Sequence, residues 1–170
     1  MNTETCSTGS LSLQWREILK TKAGVIKLAD NAKIKLILKQ TADGSTDSSE
    51  LFTRGEFREH GGSFFIDYDE SEATGYAGSH VQLRIGQQDD TVTMTRTGKA
   101  FSSLVFENGK RHFCQYGTEY GDCMIGISTV DMRNGMTSDG GELYVRYTID
   151  VNAGLMLENE ITIHVKPHNN

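Results

Sequence analysis

The stretch HVQLRIGQQDDTVTMTRTG, residues 80–98, decides the fold class. Apolar residues occupy every second position on both sides of the central Gln-Asp-Asp, which is the pattern of two strands joined by a tight turn. In the second half, Val92 and Met94 alternate with four threonines, so one face is apolar and the other is polar. This period of two predicts an antiparallel hairpin with one wet face.

The same pattern recurs from Lys33 to Lys166 and predicts about ten strands. Short turns rich in Gly, Asn and Asp join them, and ADGSTDSS, residues 42–49, is predicted as the first turn. No helical crossover separates the strands, so the sheet should be antiparallel. Because an open meander of this size would expose long edges, we expect a closed up-and-down barrel. We expect one all-β barrel domain over residues 33–167, preceded by an N-terminal extension over residues 1–32.

The extension contains a candidate helix in SLSLQWREILKTK, residues 10–22. Leu11, Trp15, Ile18 and Leu19 recur at helical spacing, which predicts a short amphipathic helix. Such a helix would pack on the barrel wall or across one end. Alternatively it would dock on a partner or on a second copy of the chain, which leaves a homodimer open.

Composition argues against several classes of function. The chain of 170 residues has a net charge of −6 and no Lys/Arg run, so neither nucleic acid nor an anionic membrane is an expected partner. It lacks the ~20 consecutive apolar residues of a transmembrane helix. The start shows no secretory pattern, so the cytoplasm is the expected compartment. The odd count of three cysteines, Cys6, Cys114 and Cys123, favours reduced thiols. Scattered histidines and the lack of a CxxC pair predict neither a metal nor a cofactor.

Strand alternation indicates which polar residues point into the barrel. The candidates for a ligand-binding site are Tyr68, Glu70, Arg96, Tyr116, Tyr147 and Asn159. Five of them share a face with apolar neighbours, whereas the stripe that carries Tyr116 fits either face. An unpaired charge inside the barrel would be costly, so we expect Glu70 and Arg96 to form an ion pair.

The remaining motifs do not predict catalysis. No GxSxG elbow or phosphate-binding loop occurs, and Cys114 beside His112 has no orienting acid nearby. In the acidic run Asp67, Asp69, Glu70 and Glu72, the first two residues lie on the outer face and the last two on the opposite face. At most two carboxylates therefore converge, and the spacing does not fit a calcium loop. We therefore interpret this run as a solvated strand end and assign no catalytic or metal-binding residue.

The stretch from about Ala32 to Lys166 resembles the YwiB-like family of small bacterial cytosolic proteins. The resemblance rests on the order and spacing of three segments, RGEFREHGGSFFIDYDESEATG (54–75), TVTMTRTGKAFSSLVFENGKRH (91–112) and YGTEYGDCMIGISTVDMRNGMTSDGGELYVRYTIDVNAGLMLENEITI (116–163). Its features are Tyr68-Asp69-Glu70 with Gly75, Arg96-Thr97-Gly98, Tyr116 with Thr118, Tyr120 and Gly121, Gly140-Gly141, and Tyr147. The resemblance implies a calycin-like (lipocalin-like) barrel and a cytosolic location, and it brings no assigned activity.

Three functions follow from this barrel. The first is reversible binding of a small, partly apolar ligand in or at the mouth of the barrel, held by Glu70, Arg96 and the tyrosines. The alternative is a protein-interaction or structural module with a fully packed barrel, and the third is an enzyme that uses Glu70, Arg96 and tyrosines. A pocket of ~300 Å³ or more would favour the first. In an open, hydrated pocket, Arg96→Met should change stability little, because Glu70 could then be solvated.

Overall fold

The computed structural model describes residues 30–88, 90–118, 121–152 and 154–168, and the candidate helix over residues 10–22 lies outside them. Ten strands account for most of the described chain. They are β1 (Ala32–Ala42), β2 (Ser45–His60), β3 (Ser63–Asp69), β4 (Ser79–Gly86), β5 (Thr91–Gly98), β6 (Ser102–Glu107), β7 (Arg111–Thr118), β8 (Gly121–Asn134), β9 (Gly141–Val151) and β10 (Leu155–Pro167). Within the described ranges, no helix is long and apolar enough to cross a membrane.

The strands form a closed antiparallel barrel in which each strand pairs with its neighbours in sequence. Closure comes from β1, which pairs with both β2 and β10, for example Leu36 with Leu51 and with Ile163. Each strand therefore has a paired neighbour on both sides, as in a closed barrel, although the described residues of β6 and β7 pair only as Ser102 with Tyr116 and Ser103 with Gln115. The predicted barrel of ten antiparallel strands is confirmed.

The first hairpin differs from the prediction. Only Asp43 and Gly44 turn the chain, and Ser45 already pairs with Ala42, so residues 45–49 belong to β2 and the predicted turn over 42–49 is wrong. Both turn residues have positive φ, 49° and 78°, as a tight two-residue hairpin turn requires. The polar residues that follow are mostly exposed, and their composition is that of a loop. Their backbone nevertheless forms the hydrogen-bonded pairing of β2 with β1.

The barrel interior is filled by alternating apolar side chains from every strand. The largest fully buried side chains include Phe106, Ile34, Leu83, Ile127 and Leu143. Near one end, Phe57 and Phe64 stack with their ring centroids 5.5 Å apart, and Met136 is buried as well. This end of the barrel is therefore filled by packed apolar side chains.

The opposite end is the rim where the odd-numbered strands finish and the even-numbered strands begin. In an up-and-down barrel, consecutive strands run in opposite directions, so the last residues of β1, β3, β5, β7 and β9 all reach this rim. Polar side chains near those strand ends therefore converge even though they are far apart in sequence. The candidate site lies at this rim.

Candidate functional site

The centre of the rim is an ion pair between Arg96 at the end of β5 and Glu70 just after β3. Arg96 donates from Nε and Nη2 to Oε1 of Glu70 at 3.1 and 3.0 Å, and from Nη1 to the Ser102 hydroxyl at 3.2 Å. The two charged side chains are only 8% and 2% exposed. Charges this well buried need a partner, and each finds it in the other. The predicted ion pair is confirmed.

The loop between β3 and β4 completes the surroundings of the ion pair. A single 3-10 turn, Glu72–Thr74, begins at Ser71 and ends at Gly75, which has φ 78°. This turn brings the Thr74 hydroxyl to the second carboxylate oxygen of Glu70, where it donates a hydrogen bond. It also lays the ring of Tyr76 over the guanidinium, with Cζ of Arg96 3.9 Å from the ring centroid.

Gly98 lets the neighbouring β5–β6 connection approach that loop. Its φ of 102° suits glycine, and a Cβ at this position would lie 2.6 Å from the carbonyl oxygen of Gly78. Next to it, the Lys99 amide donates to that same carbonyl at 3.3 Å, and the Ala100 amide donates to the Ser79 hydroxyl at 3.0 Å. The two rim loops are thus bound to each other beside Arg96.

Four tyrosines surround the ion pair. The hydroxyls of Tyr76 and Tyr116 share a hydrogen bond. Tyr147, 6% exposed, packs edge-on against Phe106 with ring centroids 4.8 Å apart, and among the described residues its hydroxyl has no hydrogen-bond partner. Tyr68 lies deeper and is fully buried. These phenols give the rim several neutral polar atoms on otherwise apolar walls.

Burial shifts the acidity of the phenols upward. It raises the pKa of Tyr147, and neighbouring Tyr116 adds to the rise while the positive charge of Arg96 opposes it. Burial likewise raises the pKa of Tyr116, and its hydrogen bond to Tyr76 adds to the rise. For Tyr68, burial and the negative charge of Glu70 raise the pKa. All three phenols therefore stay protonated across the physiological pH range.

On the β10 side of the rim, Asn159 is held by two contacts. Its side-chain oxygen accepts from Nε2 of Gln40 at 2.9 Å, and its side-chain nitrogen donates to the carbonyl of Leu157 at 3.4 Å. Asn159 faces Gln40 because the two are cross-strand partners in the β1–β10 ladder. The amide pair thus closes the barrel wall at this point of the rim.

These residues enclose a cavity of about 340 Å³ that opens at the rim. Arg96, Tyr116, Tyr147 and Asn159 line its polar part, with Tyr76 beside them. Its apolar walls are Leu38, Met94, Leu104, Ile149 and Ile161. A smaller space of about 40 Å³ continues inward past Arg96 toward Tyr68 and Glu70. The cavity therefore combines an apolar wall with a polar patch, as small-molecule sites do.

The structure brings all six predicted residues to this rim, four on the main cavity and two on its inner extension. Tyr116, which fitted either face by sequence, lines the cavity, and its neighbour Phe113 lies outside.

The prediction of a solvated acidic strand end is wrong for Glu70, which the ion pair with Arg96 buries, and for Asp67. Asp67 lies on the outer wall as expected, but it is 4% exposed because Arg58 and Gln82 cover it, at 3.3 and 2.7 Å.

Sequence reasoning missed Thr74, Tyr76, Ser102 and Gln40. Thr74 and Tyr76 lie in a loop, where no alternation indicates which way a side chain points. One signal was present: Tyr76 is the single aromatic residue in the small-residue loop ATGYAG that directly follows the Glu70 region. An aromatic residue in such a loop indicates a ring that packs over a neighbouring side chain, here that of Arg96.

A second groove, of about 1040 Å³, lies on the outer wall between Lys33–Lys35, Phe52–Arg54 and His164–Lys166. Phe52, 70% exposed, is its main apolar feature. This groove is larger but contains none of the six predicted residues, so we assign the site to the rim cavity. Within the described residues, no group of three or more His, Cys, Asp or Glu could hold a metal ion.

Comparisons with known proteins agree with the fold. A family model described as "Domain of unknown function (DUF1934)" matches residues 34–163. The crystal structure of the ywiB protein from Bacillus subtilis is similar, with a TM-score of 0.68 and 17% sequence identity over 84% of this chain and 96% of that chain. At this identity the likeness concerns the fold alone. No curated protein matches the chain. Together these matches confirm the resemblance to the YwiB-like family.

Proposed function

The chain belongs to the DUF1934 family, whose function is unknown, and we propose from the site itself that the barrel reversibly binds a small, partly apolar molecule at its rim. In this proposal the protein acts as a calycin-like container. The cavity of about 340 Å³ is the observation that carries it, because a barrel this size can otherwise fill its interior with side chains. The ligand's apolar body would lie against Leu104 and Ile149, and its polar end would face Arg96 and Tyr147.

The buried ion pair supports a positioning role for Arg96. Glu70, Ser102 and the ring of Tyr76 hold its guanidinium from three sides, so it is fixed before any ligand arrives. A preorganised polar patch reduces the entropy that binding must otherwise overcome. This arrangement suits recognition of a ligand group in one orientation.

The other two functions have less support. A packed interaction module would fill the rim cavity, whereas about 340 Å³ remains unfilled there. An enzyme would need a base near its working pH. Glu70 is instead engaged by Arg96 and Thr74, and burial raises the pKa of Tyr147, so neither is suited to accept a proton. These arguments favour binding without chemistry.

Fluorescence titration with N-phenylnaphthylamine, a neutral dye that brightens in apolar surroundings, tests the proposal. We expect saturable binding of one dye per chain. Ile149→Trp, which fills the cavity, should abolish it, whereas the neighbouring Thr148→Trp, on the outer face of the same strand, should not. Equal fluorescence from both variants would mean that the dye binds elsewhere and would count against the proposal.

A further inference from the structure

We infer that the ligand of the rim cavity is an uncharged molecule with an oxygen acceptor, such as an amide, ester, ketone or alcohol, and that Tyr147 donates a hydrogen bond to that oxygen. This inference rests on the proposed function and specifies the chemical class that the cavity takes. It follows from three features of the cavity. Glu70 balances the charge of Arg96, the other charged residues lie at the outer edge of the cavity, and the Tyr147 hydroxyl has no hydrogen-bond partner among the described residues.

The positive charge of Arg96 is already balanced. All three guanidinium nitrogens donate to described partners, two of them to a single oxygen of Glu70 at 3.0 and 3.1 Å. A carboxylate or phosphate bound at Arg96 would lie beside the carboxylate of Glu70. Like charges this close in a poorly hydrated site repel each other strongly. An anionic head group is therefore disfavoured in spite of the arginine.

The other charges on the walls lie at the outer edge of the cavity. Apart from Arg96, whose charge Glu70 balances, the charged residues that line the cavity are Lys39, Asp47 and Glu160, one cation and two anions. Lys39 and Asp47 are exposed, and Glu160 is the cross-strand partner of Lys39, so water and the neighbouring cation screen these charges. Nothing on the described walls therefore favours transfer of an ion from water into the cavity.

Tyr147 supplies the specific contact. Its side chain is more than nine-tenths buried and lines the cavity, and no described residue hydrogen-bonds its hydroxyl. Two neighbouring polar side chains are already engaged: Tyr116 with Tyr76, and Asn159 with Gln40. A hydroxyl on the cavity wall that has no described protein partner is free to donate to a ligand oxygen there.

The acidity of the phenols agrees with this geometry. Burial raises the pKa of both Tyr116 and Tyr147 above the ordinary value near 10, so each keeps its proton at neutral pH. A neutral phenol donates well to carbonyl, ether and alcohol oxygens. The apolar remainder of the ligand would contact Leu104, Ile149 and Ile161.

Binding of three near-isosteric probes to the full chain at neutral pH tests the inference. Octanamide, octanoate and octylammonium each contain a linear chain of eight carbons and differ in the charge of the head group, and calorimetry or NMR titration gives their dissociation constants. We expect octanamide to bind on the order of tenfold more tightly than either ion. Tyr147→Phe should weaken octanamide binding about fivefold, the effect of one neutral hydrogen bond. Tyr144→Phe, on the outer face of the same strand, should leave it unchanged.

The outcomes separate the inference from the proposed function. Tighter binding of octanoate or octylammonium, lost in Ile149→Trp, would overturn the inference and leave the binding function standing. Equal octanamide binding by wild type and Tyr147→Phe would likewise overturn the role of Tyr147. No binding of any probe up to its solubility limit would overturn both.

Discussion

Arg96 and Glu70 meet through a single carboxylate oxygen, Oε1, which accepts from both Nε and Nη2 of the guanidinium. The other oxygen, Oε2, accepts from Thr74, so both oxygens of this buried carboxylate are engaged. With Arg96 in place, the Glu70 side chain is only 2% exposed. This burial favours a large effect of Arg96→Met on stability over the small effect expected for an open, hydrated pocket.

We predict that Arg96→Met lowers the free energy of unfolding by about 3–5 kcal/mol, because it leaves a buried carboxylate without its partner. The double variant Glu70→Leu/Arg96→Met should recover much of that loss, since it removes both charges. Urea unfolding monitored by circular dichroism gives both values. A single variant as stable as the wild type would show that Glu70 reaches solvent.

A second prediction concerns alkaline pH. In the folded state, burial raises the pKa of Tyr68, Tyr116 and Tyr147 above the ordinary value near 10. Below about pH 10 the phenols are neutral in both the folded and unfolded states, so their ionisation adds no pH dependence to the free energy of unfolding. Above it the unfolded chain loses these protons first, so stability should fall as pH rises, and less steeply in Tyr147→Phe.

Phenolate absorbance monitors that titration. Part of the tyrosine signal should appear only together with loss of the folded circular dichroism spectrum. If all six tyrosines of the chain ionised near pH 10 while the barrel stayed folded, the burial of these phenols would be wrong.

The cysteines of the β7–β8 hairpin should remain free thiols. Cys114 pairs with Ile125 and Cys123 with Tyr116, so the two sulfurs are offset along the hairpin. Cys114 is buried, and burial raises the pKa of its thiol, whereas Cys123 is half-buried. Timed iodoacetamide labelling read by mass spectrometry should therefore modify Cys123 well before Cys114. Detection of a Cys114–Cys123 disulfide would contradict the register.

Whether a residue of the rim cavity could be predicted from the sequence depends on its place in the fold. Arg96, Tyr147 and Asn159 lie inside strands, and a period of two assigns each to a face without knowledge of the fold. Up-and-down connectivity then brings strand ends such as those of β5 and β9 to one rim. The ion pair followed from the cost of a lone buried charge.

The rest depends on loops and on contacts across the outer wall. Tyr76 covers Arg96 because a 3-10 turn ending at Gly75 redirects the chain, and alternation does not describe such a turn. Asp67 is on the face predicted for it, yet Arg58 and Gln82 on neighbouring strands bury it. Facing outward and being solvated are different properties, and strand parity reports only the first.

Gly98 should be less replaceable than a turn glycine. Gly98→Ala combines an unfavourable φ of 102° with a clash against the Gly78 carbonyl, so we expect a loss of about 2–3 kcal/mol. Gly109→Ala is the matched control, because Gly109 also has positive φ, 72°, but open space around it. It should cost about 1 kcal/mol in the same urea experiment. Equal losses would show that the two rim loops do not need this close approach.

Native mass spectrometry of the freshly purified wild-type chain tests the central claim, that the rim cavity holds a small ligand, most directly. We predict an additional mass that corresponds to one small molecule per chain. Denaturation should release this molecule, and its analysis should identify an uncharged compound. Ile149→Trp, purified in parallel, should carry much less of it, because the indole occupies the cavity. A wild-type chain at its bare mass in every charge state, or the same adduct on both proteins, would contradict the claim.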